Sequence, residues 1–477
     1  MTLIRACLLS ASLAAAGVAQ AQTASSPSSP PSPPADDSSL TWKGITLYGI
    51  VDIGLQYQTH GAPLNDYSPY GTEPTIQKNS NGSITSLSDG NLSPSRVGLS
   101  GNEPLVGDWA GVFRVESVFN PTGGVLIDGP KSLTQNNGVA LTAQNTNLDS
   151  SLAGQLFNGA AYVGFASPTY GSFTFGRQLT TLADGMLIYD PQGNAPAFSL
   201  LASGTYTGGG DTEDKRLDHT LKYAAHYDWL HLGALYQFSG SSGSFNTAIQ
   251  AQLGADFAGF SVDGFYDKKY DAVSAAALSA KQVEGLAALC NPAVPPVTPN
   301  PNGATCFSSN NSLAGTISDN TVYTLAAKYA FETVKLYAGY EHINYANPST
   351  PIEPGYVIPG GYTLAYTTLD AYNINKTLKV YWGGVKWSAT PALDLTAAYY
   401  GYKQNSYATG ADAGCSTNVS SKCSGSFDAF SVSADYRLSK RFDAYIGTFW
   451  SQVTDGPSEE FLNTSTLTTT VGLRFKF

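Results

Sequence analysis

Charge is the first thing this sequence is short of. Asp, Glu, Lys and Arg together make up 13% of its 477 residues, about half of the roughly 25% usual in soluble domains. The 25 basic residues are outnumbered by 36 acidic ones and form no run, so nucleic acid is not an expected partner. Long apolar runs are missing as well. Beyond residue 21 no stretch reaches the roughly 18 apolar residues of a membrane-spanning helix. Cysteines number five and none is spaced C-x-x-C, which leaves no zinc knuckle or redox motif. The five histidines, at 60, 219, 226, 231 and 342, show no metal-ligand spacing, since even His226 and His231 stand five apart. Neither a nucleophile elbow nor a phosphate-cradling glycine motif occurs. Enzyme chemistry and cofactor binding are therefore not expected.

The hydrophobic share is an ordinary 42%, with 49 Gly, 29 Tyr and 21 Phe. Thr, Tyr, Val, Phe and Gly recur throughout, a mixture that suits many strands and turns. Residues 1–21 read as a secretory signal: Arg5, an apolar core over 6–18, and the small-x-small cleavage site Ala19-Gln20-Ala21. Loss of Arg5 takes the net charge from −11 to −12. Residues 22–39 hold a Pro/Ser-rich stretch that cannot bury a core and reads as a disordered spacer. An exported chain permits disulfides, and local spacing pairs Cys290 with Cys306 and Cys415 with Cys423.

From residue 40 to 477 the dominant pattern is period-two alternation. Ile45, Leu47, Val51, Ile53, Leu55 and Tyr57 share one face, against Thr46, Tyr48, Asp52, Gln56 and Gln58. The last stretch does the same: Leu467, Thr469, Val471, Leu473, Phe475 and Phe477 oppose Thr468, Thr470, Gly472, Arg474 and Lys476. A greasy face and a small or charged face suit a wall between hydrocarbon and water. Sixteen such segments can be counted, an even number as bacterial barrels require. Connections alternate between short, such as 167–170, 256–259, 331–333, 388–392 and 438–441, and long, such as 178–215, 269–321 and 343–376. The expected fold is all-β, a transmembrane antiparallel barrel of 16 strands. A short helix is conceivable near 275–288.

Several segments carry a resemblance: Thr46-Leu-Tyr-Gly-Ile-Val-Asp52, Ser95-Arg-Val-Gly-Leu-Ser-Gly-Asn-Glu103, Phe113-Arg-Val-Glu-Ser-Val-Phe119, Ala161-Tyr-Val-Gly-Phe165, Tyr170-Gly-Ser-Phe-Thr-Phe-Gly-Arg-Gln178, Arg216-Leu-Asp-His-Thr-Leu-Lys-Tyr223 and the terminal Phe477. In this order they resemble the trimeric general porins of Gram-negative bacteria, of beta-proteobacterial type. The resemblance implies a homotrimer in the outer membrane, in contact with lipid and lipopolysaccharide. It implies that Phe477 is part of the signal read by the barrel-assembly machinery. It also implies an inward-folded third loop, here 178–215, that constricts a channel for passive diffusion of small hydrophilic solutes and ions.

A diffusion pore needs fixed charges of opposite sign facing each other where it is narrowest. Alternation places Arg96, Arg114, Arg216 and Lys222 on the lumen face, opposite lipid-facing Val97, Phe113, Val115, Leu217 and Leu221. The resemblance adds Arg177, although simple parity puts it on the face of Phe173 and Phe175 unless the strand bends at Gly176. Glu116 on the wall and Asp184 and Asp190 on the loop are the acidic candidates. Near charges should outweigh screened mouth acids and give a mild anion preference. Two other readings stay open. One is a channel selective for sugars or organic acids, for which Tyr48, Tyr337, Tyr400 and Tyr402 are candidate lumen aromatics. The other is a barrel serving as adhesin or structural anchor.

Overall fold

The structure is a computed structural model and describes residues 40–69, 73–203, 212, 215–239, 247–289, 307–350, 352–409 and 420–477. Its sixteen wall strands match the sixteen alternating segments of the sequence. They are β1 (Ile45–Gln58), β2 (Arg96–Pro104), β3 (Ala110–Asn120), β4 (Ala160–Ser167), β5 (Gly171–Leu179), β6 (Arg216–Tyr227), β7 (Leu230–Gln237) and β8 (Ala248–Phe257). The second half comprises β9 (Phe260–Ala276), β10 (Ser312–Phe331), β11 (Val334–Ala346), β12 (Lys376–Thr390), β13 (Leu393–Gln404), β14 (Gly425–Arg437), β15 (Phe442–Asp455) and β16 (Ser465–Lys476). Each is antiparallel to its neighbour, and β16 returns to β1 with Val51 opposite Phe475 and Leu55 opposite Val471. Closure leaves no unpaired edge, which is what lets a sheet sit in hydrocarbon.

Burial confirms the alternation. On β1 Leu55 and Tyr57 are exposed while Asp52, Gln56 and Gln58 are buried; on β16 Val471 and Leu473 are exposed while Thr468 and Thr470 are buried. The apolar outer face thus meets lipid, and the polar inner face lines the lumen. Stacked rings edge this band at the short-turn rim: Trp109 on Tyr170, Phe257 on Phe260 and Phe260 on Tyr329, at 5.8, 5.6 and 4.3 Å between ring centres. They form one girdle where ring and headgroup meet.

Two departures from strict alternation matter. The wall place beside β1 is shared, because its upper half pairs with Ile84–Asp89 and its lower half with β2. Buried Asp52 pins the break, accepting hydrogen bonds from the Leu92 and Ser93 amides. The second departure is length. β9 and β10 run well beyond the nine-residue segments legible in the sequence. The register shifts between Lys269 and Ala272, and above it both faces are covered. There Val273, Ala275, Leu313 and Ile317 pack with Leu133, Ile358, Tyr362 and Leu364 from other long loops. A strand buried on both faces has no period of two to read. Within the same loop the conceivable helix is real, spanning Ala280–Leu289.

Candidate functional site

Inside the wall, Glu116 on β3 is the centre of the first charged group. Its Oε2 lies 2.5 Å from Arg114 Nη2 and 4.0 Å from Arg96 Nε, and it accepts a hydrogen bond from the Tyr48 hydroxyl at 3.0 Å. The Arg114 guanidinium also stands over the Tyr48 ring at 4.9 Å. Arg96, Arg114 and Glu116 come together because β1, β2 and β3 are adjacent and these residues share the inner parity. The Arg96 side chain stays 27% exposed, against 4% for Glu116, so Arg96 is the more open to solvent of the two.

The connection after β5 begins with a helix, α1 (Thr181–Tyr189), capped by Thr180, whose hydroxyl accepts from the Ala183 amide. This segment runs across the inner face. The Thr181 amide donates to Gln250 on β8, and the Tyr189 hydroxyl to Asp263 on β9. Trp382 Nε1 on β12 donates to the Tyr189 carbonyl, and Tyr402 on β13 to the Leu200 carbonyl. Gln192 bonds Ser431 and Ser433 on β14, and Phe198 packs edge-on against Tyr445 of β15. Leu182, Met186, Tyr189, Leu200 and Leu201 are buried against Trp382, Tyr400 and Phe449. One side of the lumen is therefore an apolar core between wall and loop.

That placement separates the acidic candidates. Asp184 forms an ion pair with Lys222 of β6 and keeps 45% of its side chain exposed. Asp190 is 2% exposed and ends α1 as an anchor, accepting from the Gln192 and Asn194 amides and from the Tyr400 hydroxyl at 2.6 Å. Burial pushes its carboxyl above the ordinary aspartate range. Tyr400 and Tyr402 are both covered by the loop, so neither offers a ring to a passing solute.

Arg177 is placed by a bulge. The β5–β6 register shifts between Gly176 and Gln178, and Gly176 has φ 132°, a conformation that favours glycine. The bend foreseen at Gly176 is present. The Arg177 head is buried and fully engaged, donating to the carbonyls of Asn158 and Ser151 at 2.7 Å and pairing with Asp218 at 2.7 Å. Arg216 donates to the Gly159 carbonyl. Leu217, expected on the lipid face, is instead buried with Leu235 and Ala248. The positive φ of His219, 55°, shifts the strand's phase below that point.

A further charged group joins Arg474 and Lys476, whose face the alternation had given, to acids on neighbouring strands. Arg474 reaches Asp443 and Asp435 at 2.7 and 3.3 Å, Lys476 reaches Asp443, and Lys386 and Arg437 share Asp394. Inner parity on β12, β13, β14, β15 and β16 was available to find the acids. Cys290, Cys306 and Cys415 lie outside the described residues, and Cys423 is buried.

A family model described as the Gram-negative porin matches residues 8–452. The chain belongs to the Gram-negative porin family. The porin's fold is also that of an anion-selective porin from Comamonas acidovorans, at 16% identity and TM-score 0.57, covering 91% of this chain and 99% of that one. It is similar again to OmpT, an outer-membrane protein of Vibrio cholerae, at 13% identity and TM-score 0.53, covering 92% and 100%. No curated protein sequence matches the chain. The porin is an outer-membrane protein forming a water-filled channel for passive diffusion of small hydrophilic solutes and ions, and its family is one of channels rather than enzymes.

Proposed function

We propose that this porin is a general diffusion channel with a mild anion preference, constricted by the loop that begins at α1. The observation that carries the reading is the half-exposed Asp184 carboxylate on the loop, ion-paired to Lys222 of a wall that also bears Arg96, Arg114 and Arg216. With Lys222 paired to Asp184 and Arg216 buried on a carbonyl, Arg96 and Arg114 against the single carboxylate of Glu116 leave one positive charge in excess on this part of the wall. A unit charge about 4 Å from an ion is worth roughly 1 kcal/mol in bulk water, about fivefold in local ion concentration. Mouth acids a Debye length of about 8–10 Å away are largely screened. The preference should therefore strengthen as salt rises.

Single-channel conductance and reversal potential in a salt gradient test this. Arg96→Gln should shift the reversal potential toward cations with the barrel assembled. Strong cation selectivity in the native channel, or no shift in the variant, would defeat the reading.

The chain is also proposed to lose residues 1–21 on export and to carry 22–39 as a spacer. It is proposed to assemble as a homotrimer among lipid and lipopolysaccharide, with Phe477 read by the barrel-assembly machinery. Two local disulfides, Cys290–Cys306 and Cys415–Cys423, are proposed to staple the loops. Peptide mapping without reductant should recover both links, and a Cys290–Cys415 peptide would refute the local pairing.

A further inference from the structure

The tight turn between β6 and β7 brings together two side chains that the sequence holds five positions apart. In the register Leu230 faces Tyr227, so His231 falls directly opposite His226. Their rings stack with centres 4.7 Å apart. Asp256, near the end of β8, completes the group: its Oδ2 is 3.1 Å from His231 Nε2 and 3.6 Å from His226 Nε2. One donor atom from each of the three residues lies within 4.8 Å of the others.

We propose that His226, His231 and Asp256 form a binding site for a divalent transition-metal ion of the zinc type, inside the barrel at the short-turn rim. A metal about 2.0–2.2 Å from each donor sets tetrahedral donors roughly 3.3–3.5 Å apart, and the two His–Asp separations bracket that spacing. The second observation is the state of the nitrogens. Both Nε2 atoms are buried, and they face the Asp256 carboxylate without the alignment of a hydrogen bond. One carboxylate oxygen poorly aligned with two buried imidazole nitrogens leaves both under-satisfied, and a metal between the three donors would engage all of them at once.

The outer shell is also in place. His231 Nδ1 lies 3.2 Å from Asp263 Oδ2, the carboxylate–histidine arrangement that fixes a ligating ring. Asp263 in turn accepts from the Tyr189 hydroxyl of α1 at 2.5 Å, so the site is tied to the loop that crosses the lumen. Asp256 keeps 38% of its side chain exposed, leaving a side for water as fourth ligand. Two imidazoles and one carboxylate suit zinc, copper or nickel and not the all-oxygen shells of magnesium or calcium.

The test uses untagged full-length protein in detergent, stripped with chelator and titrated with zinc chloride by calorimetry in excess magnesium. One zinc per chain is expected, with an X-ray absorption first shell of nitrogen and oxygen at about 2.0–2.1 Å. His226→Ala and Asp256→Asn, each checked for barrel assembly by gel migration without heating, should each weaken binding at least tenfold. His342→Ala should not. Absence of stoichiometric binding, a first shell without imidazole, or unchanged affinity in both variants would overturn the proposal.

Discussion

At the scale of single residues, the charges that line this barrel divide by what their heads already hold. Arg177 satisfies two backbone carbonyls and one carboxylate, whereas among the described residues Arg96 makes only a 4.0 Å approach to Glu116 and stays part exposed. Arg177→Met would orphan the buried carbonyls of Asn158 and Ser151, at about 1–3 kcal/mol for each unsatisfied group. Its expected effect is a lower unfolding temperature of the barrel, read from gel migration against heating, with reversal potential unchanged. A large selectivity change at unaltered stability would show that Arg177 acts on ions instead. The sequence placed both arginines in one ladder because the pattern carries residue type and parity. It does not carry the carbonyls that a loop delivers to a guanidinium.

At the scale of elements, α1 and the segment after it are held by their C-terminal anchor. Asp190 accepts two backbone amides and the Tyr400 hydroxyl, and burial raises its folded-state pKa. A carboxyl with a raised folded pKa binds its proton more tightly in the folded state. Its contribution to loop docking is therefore greatest below the ordinary aspartate pKa and is lost as pH rises through the raised value. Hydrogen-exchange protection over residues 181–203, corrected for the intrinsic slowing of amide exchange in acid, should be greater below the ordinary aspartate range than at neutral pH, and Asp190→Asn should flatten the difference. Corrected protection that falls on acidification, in native protein and variant alike, would contradict this sign. The sequence nominated Asp190 as a pore acid because it sits in the right loop. Only docking decided that Asp184 faces the lumen while Asp190 is buried.

For the molecule as a whole, closure is the structural event on which the rest depends. The last residue seals it: Phe477 and Gly49 exchange backbone hydrogen bonds at 3.0 and 2.9 Å. A Cβ on Gly49 would lie 2.3 Å from the Phe477 ring and 2.8 Å from the Arg96 carbonyl. Gly49→Ala keeps Phe477 available for recognition yet crowds its seat, at roughly 1–3 kcal/mol for such overpacking. Assembled barrel should form with a lower unfolding temperature, whereas Phe477→Ala should reduce the amount assembled in cells. Equal yield for Phe477→Ala and native protein would remove the proposed signal role.

The sequence by itself determined the wall: sixteen strands, their inner and outer faces, and the alternation of short turns with long connections. Period two is imposed locally, since each residue of a lipid-facing strand meets either hydrocarbon or water. Where that condition fails, legibility fails with it. Above Lys269 both faces of β9 are covered, and at His219 one positive φ inverts the phase and turns Leu217 inward. The tertiary structure alone decided which charges remain open to the lumen and which are spent on holding the loop. It alone set His226, His231 and Asp256 in one place, through a hairpin register and a neighbouring strand. Such convergence depends on contacts between residues distant in the chain, and no local pattern encodes them.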